Sequence, residues 1–506
     1  LGDIYLIQGK GMERRSFIQG ASVIAAMALA TEAKAQTISS TDDIAVITTI
    51  ADLQAATSAT LTQSQCIVMG YVSETDGGGG IFATGVSASA NGGTIINDAS
   101  GRSWYRNCNP SVVKAEWFGA SANGSTDSTA AINAALASQA SDVRVDLAPG
   151  TYVISGSVLI SGNYKSLVGA AQAATVLACS AASSPVVSVA GGSISFLIRD
   201  MTVMHSGTPT NGGHGISCTG TVSQSRIENI ISQNNSFGFS LAATDLSFVK
   251  GCISQSNFGY GFYQTNSPAN PGSQWYYEDC LAQENGQAGY FLTSSSGSSS
   301  MSVGAFSRCL TFANSGCGFV ALGLATSPIQ GVRISDCFFG QDANNEVFLD
   351  TYGGAHSVRN TFTELAGTGK TGPAQSDPAS NGGCGIFVSS NNQSVDITSC
   401  YCGGHSQNGI YSQAVTANVT GCSAFDNGRS NLAGEQCGIH HEGGRMIVSG
   451  GSIGNTVFGG GQQCGIRTYN GANTSIGFVD LTGNVASATL ADSNPSSLMV
   501  VGCLGV

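Results

Sequence analysis

Between residues ~210 and ~500 the chain is written in short runs that alternate apolar and polar positions, as in Val395-Asp396-Ile397-Thr398. Period-two alternation is the pattern of a strand buried on one face. The runs recur at a near-constant interval. Cys252, Cys280, Cys309 and Cys337 lie 28, 29 and 28 residues apart. Asn257, Asn285 and Asn314 follow the first three by five positions, and Asp342 stands in the fourth place. Each Asn is followed four residues later by Gly261, Gly289 or Gly318, and then by Phe262, Tyr290 or Phe319. A second column reads Cys317-Gly318-Phe319, Cys384-Gly385-Ile386, Cys437-Gly438-Ile439 and Cys464-Gly465-Ile466.

Short strands repeating every ~20 to ~50 residues predict a stacked architecture. In a parallel stack each equivalent residue sits about 4.8 Å above the last, so identical side chains pile up. Cysteine fills the interior as a small hydrophobe, and Asn forms an amide ladder along a turn. Zinc would need cysteine pairs two to four apart with matching partners, and only Cys400-x-Cys402 approaches that spacing. The arithmetic is that of an all-β parallel β-helix of about ten coils, on the order of 50 Å long.

Upstream, residues 113–152 carry a different pattern. Asp127 is placed to cap a helix over 128–137, with Ile132, Ala135 and Leu136 as its apolar stripe. Val143, Val145 and Leu147 then alternate as a strand, and Pro149-Gly150 turns it. Such a helix would cover the open end of the stack, where backbone groups are otherwise unpaired. Trp117-Phe118-Gly119-Ala120, Thr126-Asp127-Ser128-Thr129 with Ala131-Ile132, and Pro149-Gly150-Thr151-Tyr152 closely resemble the opening of the pectate-lyase-like superfamily. Asn123 stands where that superfamily often has Asp. The resemblance implies a single-stranded right-handed parallel β-helix with an N-terminal capping helix, acting on polysaccharide. It leaves the reaction open. The tailspike members trimerise, so a homo-oligomer is expected by analogy alone.

The first residues read as an address. Met12-Glu13-Arg14-Arg15-Ser16-Phe17-Ile18 resembles a twin-arginine export signal, followed by an apolar run and an Ala33-Lys34-Ala35 cleavage pattern. This predicts a leader over 1–35, a lead-in segment of short strands over 36–112, the β-helix over 113–506, and a periplasmic or secreted protein. Proteins on that route fold before they meet an oxidant, so free buried thiols are expected among the 16 cysteines. The net charge of −12 excludes a nucleic-acid partner, because phosphate binding needs clustered Lys and Arg. No run is long enough for stable membrane insertion.

Candidate chemistry lies on outward-facing positions. One residue past the apolar member of the Gly-apolar column come Tyr263, Phe291, Val320, Leu349, Phe387, Tyr411, His440 and Arg467, and two residues further Glu442 and Tyr469 share the face. Tyr411, His440 and Arg467 are the catalytic candidates, with Glu442, Tyr469 and nearby Arg445 as substrate contacts. Arg would neutralise a uronate carboxylate, and Tyr or His would abstract the adjacent proton while the other protonates the leaving oxygen. The aromatic stripe would stack on sugar rings. A second patch, Lys250, Glu278, Arg333 and Arg359, gives further substrate contacts, although Lys250 and Glu278 one coil apart also read as a surface ion pair. Hydrolysis would instead need two carboxylates about 5–9.5 Å apart; Glu278 with Asp396 and Glu346 with Asp350 are the pairs to consider. His214, in Gly213-His214-Gly215-Ile216, looks like a polygalacturonase motif but falls in the Cys317 column, and His405 takes an Asn-ladder place. No cofactor or metal motif is evident; calcium stays open, since an acidic chain binding a polyanion needs a basic patch or a cation.

The expected function is cleavage of an acidic polysaccharide by a lyase, through β-elimination at a uronic acid. The alternatives are a glycoside hydrolase with an Asp/Glu pair and a non-catalytic glycan-binding surface protein. Gly367–Gly383 breaks the repeat with Lys370, Pro373, Asp377 and Pro378 and reads equally as a wall or lid of a binding groove or as a disordered loop.

Overall fold

The computed structural model describes residues 44–505 except 243, 267–271, 298–299, 368–382, 430–435, 456–460, 486 and 492–496. The twin-arginine segment and the interior of the 367–383 insertion lie outside the described residues.

From residue 112 onward the strands stack as a right-handed parallel β-helix. One wall is a 13-stranded parallel sheet, and the other two walls join into a continuous 26-stranded sheet. Adjacent coils pair in register, so Cys252, Cys280, Cys309 and Cys337 line one interior corner, all buried. The residue before each of these cysteines takes the left-handed conformation: Gly251 (φ 61°), Asp279 (55°), Arg308 (52°) and Asp336 (56°). That tight corner sends the following thiol inward.

The asparagine ladder forms as the spacing predicts. Asn257 Nδ2 donates to Asn285 Oδ1 at 2.9 Å, Asn285 Nδ2 to Asn314 Oδ1 at 2.9 Å, and Asn314 Nδ2 to Asp342 Oδ1 at 2.8 Å. The ladder extends upstream through Asn235, whose N–H donates to Asn257 Oδ1 at 3.0 Å, and His205 meets Asn235 Oδ1 at 2.7 Å. His405 does hold a ladder place: its N–H donates to Asn427 Oδ1 at 3.2 Å, and burial pushes its pKa down to about 3. Between Asp342 and His405 the ladder residue is Ala366, which has no side-chain acceptor. The buried Glu346 takes over, accepting the Asp342 N–H at 3.3 Å.

Large rings fill the middle of the rod. Phe239, Phe262 and Tyr290 stack at 4.6 and 4.8 Å, and Tyr277 lies on Phe306 at 4.5 Å. Each buried ring is worth roughly 1.5–3 kcal/mol, with ~0.5–1.5 kcal/mol more for a well-placed pair.

The capping helix spans Thr129–Ala137 and buries Ile132, Ala135 and Leu136 against the first coils. Its N-cap is Ser128, one residue later than expected. Asp127 nevertheless accepts the Thr129 N–H at 3.0 Å and the Ser155 hydroxyl at 2.6 Å, which holds its carboxyl down to about 2. The lead-in segment is a five-stranded sheet with its own small core around Leu53, Phe82 and Trp104. It is fastened to the rod by Arg106, whose guanidinium lies over Phe82 at 4.5 Å and over Trp117 at 4.7 Å.

Fourteen cysteines are free, twelve of them buried. Cys437 and Cys464 are the exception and form a disulfide between adjacent coils.

Candidate active site

The 13-stranded sheet presents two outward columns. The first runs Tyr263, Phe291, Val320, Phe348, Phe387, Tyr411, His440, Arg467, one residue per coil. Leu349, expected in this column, is interior, and Phe348 takes its place. The count slips there because Glu346 stands where neighbouring coils have Gly318 and Gly385, so no glycine anchors the register. The second column follows the interior residues Leu349, Val388, Ser412, His441 and Thr468. It contains Asp350, Ser389, Gln413, Glu442 and Tyr469.

Rings at the C-terminal end of the first column stack on one another. Tyr411 lies parallel to Phe387 at 4.8 Å and to His440 at 4.6 Å. Both faces of Tyr411 are therefore covered, which removes the face-on stacking against a sugar that the sequence suggested.

At the C-terminal end these columns and the corner that follows bring four polar side chains together. Tyr411 Oη donates a short hydrogen bond to Glu442 Oε2. Gln413 Nε2 reaches the same carboxylate oxygen and the Tyr411 hydroxyl, each at 2.9 Å, and Asn470 Nδ2 donates to Glu442 Oε1 at 2.5 Å. Half-burial alone would raise the Glu442 pKa, but the three donors and the nearby His440 outweigh it and hold the carboxyl below its usual range. Burial, reinforced by the bond to Glu442 and its negative charge, pushes the Tyr411 phenol well up. The pair is thus poised as a carboxylate beside a phenol that keeps its proton. Arg467, one coil beyond His440, places its guanidinium 5.7 Å from the Tyr469 ring.

His440 and Arg445 differ from expectation. Both ring nitrogens of His440 are shut off from solvent and the residue is 7 % exposed, so the imidazole cannot reach a substrate proton in this conformation. Arg445 lies past the Gly443-Gly444 corner on another wall, paired in register with Thr416 and Asn473.

The second patch divides. Lys250 Nζ meets Glu278 at 3.0 Å, and Arg308, not foreseen, bridges Glu278 and Asp279, the latter at 2.7 Å. Arg359 stands in the Glu278 column three coils on, and Arg333 in a neighbouring row. The four residues do not form one site. Of the carboxylate pairs considered for hydrolysis, Glu346 is fully buried, while Asp350 faces outward and accepts from Ser389 Oγ at 2.6 Å and Asn391 Nδ2 at 2.7 Å. Asp396 is bonded by Asn418 on the wall that carries Glu278. His214 stacks on Phe237 at 4.8 Å, and burial takes its pKa to about 4. Among the described residues no three His, Cys, Asp or Glu side chains converge as metal ligands.

Gln413 and Asn470 were not singled out from the sequence. Gln413 follows Tyr411 by the same two positions that separate Glu442 from His440, so the same-face rule would have found it. Asn470 sits at a left-handed corner (φ 55°) outside the strand period, and no spacing signals it.

The comparisons with known proteins agree with this architecture. Residues 167–339 match the family described as the right handed beta helix region. Residues 46–109 match the phage tail protein small four-stranded beta-sheet domain. The A-module of the Azotobacter vinelandii mannuronan C-5 epimerase AlgE6 superposes with a TM-score of 0.52 at 16 % identity, covering 78 % of this chain and 99 % of that one. The gp42 tailspike of Acinetobacter phage vb_AbaP_AS12 gives 0.53 at 14 % identity, over 86 % and 74 % of the two chains. No curated protein matches by sequence. The chain is a right-handed parallel β-helix protein, preceded by a small β-sheet unit. Its fold is the one that the motifs at 113–152 imply for the pectate-lyase-like superfamily.

Proposed function

We propose that the protein is an exported enzyme that cleaves an acidic polysaccharide by β-elimination at a uronic acid. The observation that carries this reading is the Tyr411–Glu442 pair, whose environments drive the two pKa values apart; such separation assigns acid and base. Glu442, kept ionised, takes the proton from the carbon next to the uronate carboxylate. The electron pair becomes the new C=C bond, the bond to the leaving oxygen breaks, and that oxygen receives the Tyr411 proton. Arg467 offsets the charge that builds on the substrate carboxylate. The proton on Glu442 then returns to Tyr411 along their existing hydrogen bond. His440 serves as a stacking support for Tyr411 rather than as the base.

Hydrolysis fits less well. Asp350, the other carboxylate of the Glu442 column, is three coils away, or ~14 Å at ~4.8 Å per coil, beyond the ~9.5 Å limit for a hydrolytic pair. Both structural neighbours bear on substrate class only through their fold. Export by the twin-arginine route accords with an extracellular polymer as substrate, and among the described residues no helix is long and apolar enough to cross a membrane.

The test is incubation with uronic-acid exopolysaccharides. The expected result is ultraviolet absorbance from an unsaturated sugar end, abolished in Glu442→Gln and reduced in Tyr411→Phe. Reducing ends without that absorbance would mean hydrolysis, and binding without products would mean a non-catalytic glycan-binding protein.

A further inference from the structure

Gln413 is held by the sheet. It directly follows the strand Ile410–Ser412, its N–H donates to Val388 O at 2.8 Å, and Ser412 beside it is fully buried. From that fixed backbone its half-buried side chain meets two groups at once. Nε2 donates to Tyr411 Oη at 2.9 Å and to Glu442 Oε2 at 2.9 Å. Asn470 differs, since it donates to Glu442 Oε1 and not to the phenol.

The elimination moves a negative charge between those same two atoms. It begins on the Glu442 carboxylate. Glu442 takes the carbon-bound proton and becomes neutral, the C–H electron pair forms the C=C bond, and the bond to the leaving oxygen breaks. That oxygen takes the Tyr411 proton, so the charge ends on a Tyr411 phenolate until the proton on Glu442 returns to it. A donor equally close to both atoms faces the charge at its start and at its end without turning, and a dipole already in place costs no reorganisation during the reaction. Burial, then the bond to Glu442 and its charge, make the phenol a reluctant acid, and the bond from Gln413 works against them.

We propose that Gln413 is a positioning residue for the acid step, an amide that supports the negative charge as it passes from Glu442 to the Tyr411 phenolate. The inference rests on the elimination proposed above. Gln413 acts through Tyr411 and Glu442, so its removal weakens the donation of a proton more than the abstraction of one.

The test compares two substrates: a uronate polymer that the parent cleaves, and a short chain of the same uronate with a dinitrophenyl ether in place of the leaving sugar. Dinitrophenolate departs without a proton, so the ether needs the base and not the acid. Gln413→Met keeps the side-chain length and removes the donor. It is expected to lower kcat on the polymer by about tenfold or more and to stay within about threefold on the ether. Tyr411→Phe should show the same split, and Glu442→Gln should lose activity on both. Gln413→Leu should repeat the Gln413→Met pattern, which separates the role from a packing defect of one substitution. Equal losses on the two substrates, no loss on the polymer, or a parent that cleaves the polymer and releases no dinitrophenolate would overturn the Gln413 assignment and leave the elimination standing. A parent that forms no unsaturated ends from any uronic-acid exopolysaccharide would refute the elimination and the assignment with it.

Discussion

Two places on the rod set a carboxylate one coil from a cation, and they do opposite things with it. On one wall Glu278 lies between Lys250 and Arg308, with Asp279 beside Arg308, and every partner is substantially exposed. The charges satisfy one another, water screens them, and pairs of this kind contribute roughly 0–1 kcal/mol each. On the 13-stranded sheet Glu442 is half-buried and its oxygens are held by Tyr411, Gln413 and Asn470, all neutral donors. Neutral donors keep the carboxylate ionised without cancelling its charge. The lesson is that the identity of the partner, more than the presence of charge, separates a site from a structural patch.

The largest contrast should come from removing the same charge at both places. Glu442→Gln is expected to lower kcat/KM on a uronate polymer by about 10²–10⁴-fold, the usual worth of a positioned acid–base group. Glu278→Gln should stay within about twofold. Equal losses from the two substitutions would erase the distinction.

The pH–rate profile sharpens the same point. The proposed elimination needs Glu442 ionised and Tyr411 protonated. With Glu442 lowered from 4.5 and Tyr411 raised from 10.0, kcat/KM should fall only below pH 4.5 on the acid side and hold a plateau up to at least pH 10. A narrow bell centred between pH 6 and 7 would point to a histidine.

A third prediction concerns a carboxylate buried for structural reasons. Glu346 fills the gap that Ala366 leaves in the ladder, and burial, with the charge of neighbouring Asp342 and the hydrogen bond between them, raises its pKa well above 4.5. Burial also raises Asp342, despite hydrogen bonds from Glu346, Thr311 and Asn314. Because both folded values lie above the unfolded ones, the stability these protonated groups support is complete at low pH and is lost as pH rises through the folded values. Glu346→Gln should therefore gain stability relative to the parent between pH 4.5 and pH 8, measured by denaturant unfolding. Glu346→Ala should cost about 1–3 kcal/mol, because the Asp342 N–H loses its acceptor. The smallest effect is expected from Lys250→Ala, under ~1 kcal/mol and vanishing at high salt.

The ladders were legible because they are periodic: Cys252 to Cys337 and Asn257 to Asp342 announce the coil length, and the Trp117-to-Tyr152 motifs announce the cap. The site was legible in part. Periodicity identifies which residues share a face, so Tyr411, Glu442, Arg467 and Tyr469 emerged together. It is silent on enclosure, which is why His440 looked available as a base. It also fails where the repeat is broken. Glu346 in a glycine place set the count one residue off, so that Phe348 stands in the column where Leu349 was expected, and Asn470 lies on a corner that no strand period reaches. The Cys437–Cys464 bond depends on a column holding cysteine in two consecutive coils, whereas Cys384 is followed there by Asn408, whose amide oxygen accepts the Cys437 N–H at 3.0 Å.

The most direct test of the central assignment, Glu442 as base, is to digest a uronate polymer with the parent protein and with Glu442→Gln and to weigh the new non-reducing ends. The account predicts that the parent forms unsaturated ends, each one water lighter than its hydrolytic counterpart, and that Glu442→Gln forms none. Saturated non-reducing ends, or unsaturated ends still formed by Glu442→Gln, would contradict the account.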